Sequence, residues 1–350
     1  MADEYEEEAP GWDALDDALA KLYGRQEPVH FDTVTSFRAG GKDPLDAISA
    51  YSAADKSHWH YITYGFSELY DKESDDEEHS GFGFELTFRL ERKGSEQDPP
   101  AWPANFLQSL ARYVFETGNA FDAGHNMTLH GPITTEHKTE ISAAAFVEDP
   151  QLGTIQTPHG RVAFLQVVGL TRDEFEFIQG WNTPGLIALL KEQEPLLVTR
   201  LARPSLLKNS RAAQKMREGA ARDGSELGVL YVTHLKTKPG KGANSLLLEL
   251  EAAAVPQLQR VLPGRLPHGR ELLIASDFDS LKLKPSAEAK FIRQKKGWTI
   301  ELSNAHLTEI LSGLKPKPGT YTWAALKGFE IRIVPSEIRD RDGVIVDKIG

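Results

Sequence analysis

Residues 58–70 read HWHYITYGFSELY, and the first seven of them decide the fold. Alternate side chains of an extended chain point to opposite faces, so His58, His60, Ile62 and Tyr64 share one side. Trp59, Tyr61 and Thr63 take the other, which makes a two-sided strand. The two histidines project side by side, as a chelating pair would. A metal site of that kind wants a glutamate about four residues on, and Tyr64 and Gly65 stand there instead. Glu68 comes too late, and His79 sits in an acidic run. The imidazoles are therefore read as hydrogen-bonding side chains beside a core aromatic.

Outward from this strand, DKESDDEEHSG (71–81) is too polar to bury and reads as a loop. SGFGFELTFRL (80–90) then sets Phe82, Phe84, Leu86, Phe88 and Leu90 on one face, and Gly81, Gly83, Glu85, Thr87 and Arg89 on the other. Two strands joined by an acidic loop predict a hairpin. Upstream, Trp12, Leu15, Leu19 and Leu22 recur at helical spacing, with Gly24 as a stop. Downstream, residues 99–118 predict a helix with Phe106, Leu107, Leu110 and Val114 on one side and Gly118 past its end. RVAFLQVVGL (161–170) reads as a buried strand, and Thr171 with Glu174 has the spacing of a capping box. Helices over 181–193 and 211–221 precede a strand over 227–235. KTKPGKGAN (236–244) is basic, glycine-rich and without large apolar groups, as a linker would be. Beyond it come an apolar segment (245–255), a strand over 271–276, a short helix over 304–312 and a final strand over 329–334. The whole reads as α+β in two lobes, 1–235 and a smaller 236–350.

At 350 residues two domains are expected, because single cores stop growing before this length. Forty Lys+Arg against 51 Asp+Glu give a formal −11, which disfavours a general nucleic-acid or anionic-membrane binder. No apolar run approaches the roughly 18–20 residues a bilayer span needs. The acidic opening does not have the form of a secretory signal. The absence of cysteine excludes disulfides, thiolate zinc sites and thiol nucleophiles. A cytoplasmic protein fits all of this.

The common catalytic patterns fail. GFGFEL lacks the third glycine of a dinucleotide loop, and PGKGANS lacks the spacing of a phosphate loop. Carboxylate pairs such as Glu148 and Asp149 do not stand out from solvated turns. No cofactor, metal or enzymatic activity is expected.

The order of segments is more specific than any one of them. DPLDAISAY (43–51), HWHYITYGFSELY, SGFGFELTFRL, PPAWPANFLQSLARYVFETGNAFDAGH (99–125), VEDPQL (147–152), IQTPHGRVAFLQVVGL (155–170) and WNTPGLIALL (181–190) occur in sequence. Together they resemble the Suppressor of Fused family. The resemblance is distinctive from about 43 to 190, continues through DGSEL (223–227) and returns at GRLPHGR (264–270). It implies a two-lobed α+β fold with mixed sheets flanked by helices, and a non-enzymatic protein-binding function. Animal members restrain the Gli transcription factors and grip a short extended peptide between their lobes, as an added strand. Bacterial members act as immunity proteins that neutralise toxins.

The long serine-rich insertion of animal members has no counterpart here. The expectation is therefore a bacterial-type immunity protein that sequesters a toxin, with a Gli-type transcription-factor peptide as the alternative partner. Carried over residue by residue, the resemblance assigns partner binding to Tyr113 and Phe121, in ARYVF and NAF, and to Glu148 of the E-D-P turn, with plain core packing as the alternative for each. It further assigns Leu230 and Val232, on the strand to which a peptide would add, and Leu262, just before GRLPHGR. The family's histidine-reading aspartate is replaced by His125, which implies weak binding of the animal peptide. Acidic runs at 3–8 and 71–78 form a face able to steer a basic partner, as against plain solubilising segments.

Overall fold

The computed structural model describes residues 8–32, 40–94, 96–242, 245–339 and 345–350. The chain divides into two compact units, Met1–Phe175 with Ile187–Asn209, and Glu176–Leu186 with Ser210–Gly350. This division differs from the expected boundary at 235/236. Residues 236–239 of the expected linker lie within the second unit as part of a strand, Leu235–Pro239, paired antiparallel with Leu246–Glu251, because alternate side chains of that stretch meet a neighbouring strand.

The first unit is one mixed sheet between two helices. Its strands are β1 (Val29–Asp32), β2 (Ala47–Ser52), β3 (His58–Tyr64), β4 (His79–Glu91), β5 (Asn126–Thr128), β6 (Ile141–Glu148), β7 (Thr154–Thr157) and β8 (Gly160–Thr171). They lie in the order β1-β2-β3-β4-β8-β6-β5, with β7 paired on β8. The expected hairpin is present: β3 and β4 are antiparallel, with Tyr61 opposite Phe88. β4 runs parallel to β8.

Helices α1 (Pro10–Tyr23) and α2 (Trp102–Thr117) cover opposite faces of this sheet. Leu107, Leu110 and Val114 of α2 pack with Trp59, Tyr61, Leu86 and Phe88. Leu15, Ala18 and Leu19 of α1 pack with Ile62, Tyr64 and Phe164. Each large apolar side chain so buried contributes about 1.5–3 kcal/mol. Trp12 also stacks on Tyr64 at 4.5 Å and Tyr23 on Tyr51 at 4.3 Å. With cover on both faces, every residue of β3 is buried, which explains why its alternation carries bulk on both sides.

Half of the predicted capping box is present at the start of α3 (Arg172–Ile178): the Thr171 N–H donates to Glu174 Oε2 at 3.0 Å, while the Glu174 N–H donates to Asp173 Oδ1 at 3.1 Å and the Thr171 hydroxyl to the same oxygen at 2.6 Å. Two further helices, α4 (Thr183–Lys191) and α5 (Ser210–Asp223), match the expected segments.

The second unit has two mixed sheets. The five-stranded one runs β14 (Lys290–Arg293), β15 (Trp298–Leu302), β13 (Ser280–Pro285), β12 (Leu272–Ala275), β9 (Val229–Tyr231). The four-stranded one runs β10 (Leu235–Pro239), β11 (Leu246–Glu251), β17 (Phe329–Val334), β16 (Gly319–Thr322). Leu248, Leu281, Ile300 and Ile331 from these sheets share one core with Leu258 of α6 (Ala254–Val261) and Leu307 of α7 (Asn304–Gly313). The strand at 329–334 is not the last, since β18 (Ser336–Arg339) and β19 (Ile345–Ile349) follow as a hairpin. Among the described residues no helix is long and apolar enough to cross a membrane.

Candidate functional site

α2 ends where Gly118 adopts a left-handed conformation (φ 71°) and its N–H caps the Val114 carbonyl. The chain then turns back over the sheet and carries Phe121 onto Phe146 of β6, ring centroids 3.9 Å apart. Tyr113, from the last turns of α2, also stacks on Phe121, at 5.8 Å. Phe121 is 9% exposed and Tyr113 37%. Phe121 thus belongs to the core, while Tyr113 closes the stack at the surface.

The same loop borders a cleft of about 490 Å³. Phe84, Phe121 and Leu165 give it an apolar wall, and Glu148, Arg161 and His79 supply its polar groups. Glu148 is exposed at the end of β6, and its Oε1 accepts the Thr154 hydroxyl at 3.2 Å. At the other polar end, His79 binds Asp76 at 3.1 Å and receives Arg161 at 2.6 Å. Phe121 and Glu148 are therefore brought together in one cleft, with Tyr113 stacked behind.

His125 follows this loop, exposed, immediately before β5, the outermost strand of the sheet. Its Nδ1 accepts the Asp122 N–H at 3.1 Å, so the neutral ring carries its proton on Nε2.

Leu230, Val232 and Leu262 are placed differently. All three lie in the hydrophobic core of the second unit. The side chains displayed by β9 are Val229 and Tyr231, one position along, and Tyr231 is 75% exposed. β9 is itself the outermost strand of its sheet. Its ladder bonds run from Leu273 N–H to Gly228 and from Val232 N–H to Ala275, so residues 229 and 231 turn their backbone groups outward.

The histidine pair belongs to a buried polar network that sequence reasoning missed. His60 Nδ1 accepts the Tyr23 hydroxyl at 2.7 Å. Its Nε2 stands 3.3 Å from Asp149 Oδ2, within reach of charge attraction but off the hydrogen-bond line. Asp149 pairs with the fully buried Arg89, Oδ2 to Nη1 at 2.5 Å and Oδ1 to Nη2 at 3.0 Å. Gln166 and Gln151 take further Arg89 donors at 2.6 and 2.9 Å. Burial, then the Arg89 charge, pushes both His58 and His60 down to about 4. Burial acts to raise the Asp149 carboxyl, but His60 and Arg89 outweigh it and hold that carboxyl well below the usual range. Glu85, on the same strand as Arg89, makes no ion pair among the described residues, and burial pushes it up to about 7 against hydrogen bonds from Ser67 and Thr63.

Asp149 Oδ1 also accepts the N–H groups of Gln151 and Leu152, at 2.9 and 3.0 Å. The network therefore anchors the turn after β6 and fixes the direction in which Glu148 enters the cleft. The alternation of Glu85, Thr87 and Arg89 was the one signal for it. By itself, that pattern reads as a solvated face.

Of the two acidic runs, 3–8 lies outside the described residues except for Glu8. In 71–78, Asp76 holds His79 and Glu78 lies 3.3 Å from Arg161, whereas Asp75 and Glu77 are exposed.

Comparison with known proteins gives four findings. A family model, Suppressor of fused protein, matches residues 41–204. The human and mouse Suppressor of fused homologs are each 37% identical over 238 residues, covering 62% of this chain and 48% of theirs. The chain thus spans about half the length of the curated relatives it matches. A crystal structure of the Sufu–Fu complex aligns at 33% identity and a TM-score of 0.55, over 60% of this chain and 98% of that one. The Drosophila Suppressor of Fused structure has the same fold over 93% of this chain and 97% of its own, with a TM-score of 0.77 at 23% identity.

Proposed function

This chain belongs to the Suppressor of Fused family, and on that premise we propose that it is a non-enzymatic regulator that captures an extended segment of a protein partner. The observation that carries this reading is local to the first unit: an outermost strand, β5, begins two residues after a cleft with an aromatic wall and the exposed Glu148. Strand addition there supplies affinity through the backbone, while alternate side chains reach Phe121 and Glu148. In the second unit β9 offers the same kind of edge, with Val229 and Tyr231 displayed.

The transcription-factor reading takes precedence over the toxin reading. The curated relatives matched are animal proteins, and the related complex joins Sufu to Fu, another protein. Selection of extended peptides by display on the full-length chain tests the proposal. Peptides so selected should lose at least tenfold in affinity to Thr128→Pro, which removes an outward N–H of β5, with the melting temperature kept within a few degrees. Selected peptides that bind Thr128→Pro and Glu148→Ala as well as the parent would refute it.

A further inference from the structure

The formal charge of −11 is not spread evenly. The first unit carries 17 Lys+Arg against 34 Asp+Glu, a formal −17, and the second carries 23 against 17, a formal +6. Many cations of the second unit have carboxylate partners: Lys282 and Lys284 on Glu271, Arg260 on Glu176, Arg332 on Glu249, and Arg222 on Asp223.

Arg265 and Arg270 are different. Arg265 Nη1 donates to the Ser225 carbonyl at 2.8 Å, and Arg270 Nη1 donates to the same oxygen at 2.9 Å. Arg265 Nε and Nη2 both donate to another carbonyl, that of Glu271, at 3.0 and 2.5 Å. Two guanidinium ions thus converge on one neutral acceptor. The carboxylates nearest in charge are already engaged: Glu271 on the two lysines, and Asp223 on Arg222 and the Trp181 indole N–H. Burial, and then the charge of Arg270, pushes the Arg265 guanidinium down from its ordinary value. Like charges held together in a partly buried place lower the cost of bringing in an anion.

The position of the pair gives this charge a use. Ser225 and Gly228 lead straight into β9, and Arg265 Nη2 stands 3.7 Å from where a Cβ on Gly228 would lie. The guanidinium pair therefore sits at the beginning of the outermost strand, on whose far end Tyr231 is exposed.

We infer that Arg265 and Arg270 form an oxyanion site at the entry of β9, and that a segment captured along this strand carries an anionic side chain that reaches it. The inference deepens the strand-addition reading and rests on it for the identity of the ligand. The shared chemistry is an oxygen anion that can take two parallel N–H bonds, either a phosphorylated hydroxyl or a carboxylate. At about 3.3 Å per residue, the anionic residue falls roughly three positions from the one opposite Tyr231.

The test needs no peptide. Inorganic phosphate and, separately, acetate are titrated into the full-length chain at constant ionic strength, and the arginine Nε–Hε resonances are followed by NMR. Arg265 and Arg270 should shift to saturation while Arg332, already paired, drifts linearly. Arg270→Ala should weaken the Arg265 response at least tenfold without moving the melting temperature, because Arg270 is exposed. Saturation by phosphate alone identifies a phosphorylated segment as the ligand, and comparable saturation by acetate identifies an acidic one. Responses no larger than that of Arg332, or saturation unchanged in Arg270→Ala, would overturn the site. Either failure would leave strand addition standing at β9, which Tyr231→Pro tests separately with display-selected peptides.

Discussion

Asp149→Asn removes the only carboxylate paired with Arg89 among the described residues and leaves the guanidinium fully buried. Breaking one side of a buried ion pair costs about 3–5 kcal/mol, since the remaining charge stays desolvated. Gln166 and Gln151 keep their bonds to Arg89, which places the expected loss near the lower end, about 3 kcal/mol. Against a total stability of about 5–15 kcal/mol, that is a large share. Urea denaturation followed by circular dichroism measures it, with an unchanged slope expected. The asparagine carbonyl can still accept the Gln151 and Leu152 N–H groups, so the turn and Glu148 stay in place and the folded fraction keeps its affinity for selected peptides. Combining Asp149→Asn with Arg89→Met should be less damaging than Asp149→Asn alone, because the stranded charge is gone. A loss under about 1 kcal/mol for the single change, or a double variant worse than both singles combined, would refute the account of the network.

Glu85 and His60 give opposite pH limbs. The folded Glu85 carboxyl, at about 7 against 4.5 unfolded, contributes stability below 4.5 that is lost as pH rises towards 7, and Glu85→Gln should flatten that decline in denaturant midpoints. His60, at about 4 against 6.5 unfolded, costs stability as pH falls from 6.5 to 4, and His60→Gln should flatten that limb. Phe121→Ala should cost about 3–5 kcal/mol in thermal melts, whereas Tyr113→Ala with Glu148→Ala should weaken partner binding with little loss of stability. His125→Asp should raise affinity for a Gli-type peptide bearing a histidine at that register, most strongly below pH 6.5 where the histidine is charged, as read by fluorescence anisotropy. Neutralising Asp75 and Glu77 should slow association with a basic partner at low salt only, and an association rate flat across the salt range would leave them a solubilising role.

Periodicity and order sufficed for the elements. HWHYITY reads as a strand, residues 99–118 as a helix, and Glu174 as the partner of the Thr171 N–H, because each rests on neighbours within one turn or one pleat. The sequence of motifs likewise identified the family and directed attention to Phe121 and Glu148. Tertiary structure decided which faces are covered. Glu85, Thr87 and Arg89 alternate like a solvated face, yet α1 closes over that side of the sheet and turns them into a buried network. Asp149, indistinguishable in sequence from a surface carboxylate, becomes the counter-ion of Arg89 through a partner sixty residues away. Leu230 and Val232 face the core, while Val229 and Tyr231 are displayed, because a shift of one residue exchanges the two faces of a strand. The convergence of Arg265 and Arg270 on Ser225, forty and 45 residues away along the chain, is likewise invisible to any local pattern. Burial and charge pairing are set by contacts distant in the chain, and local spacing does not record them.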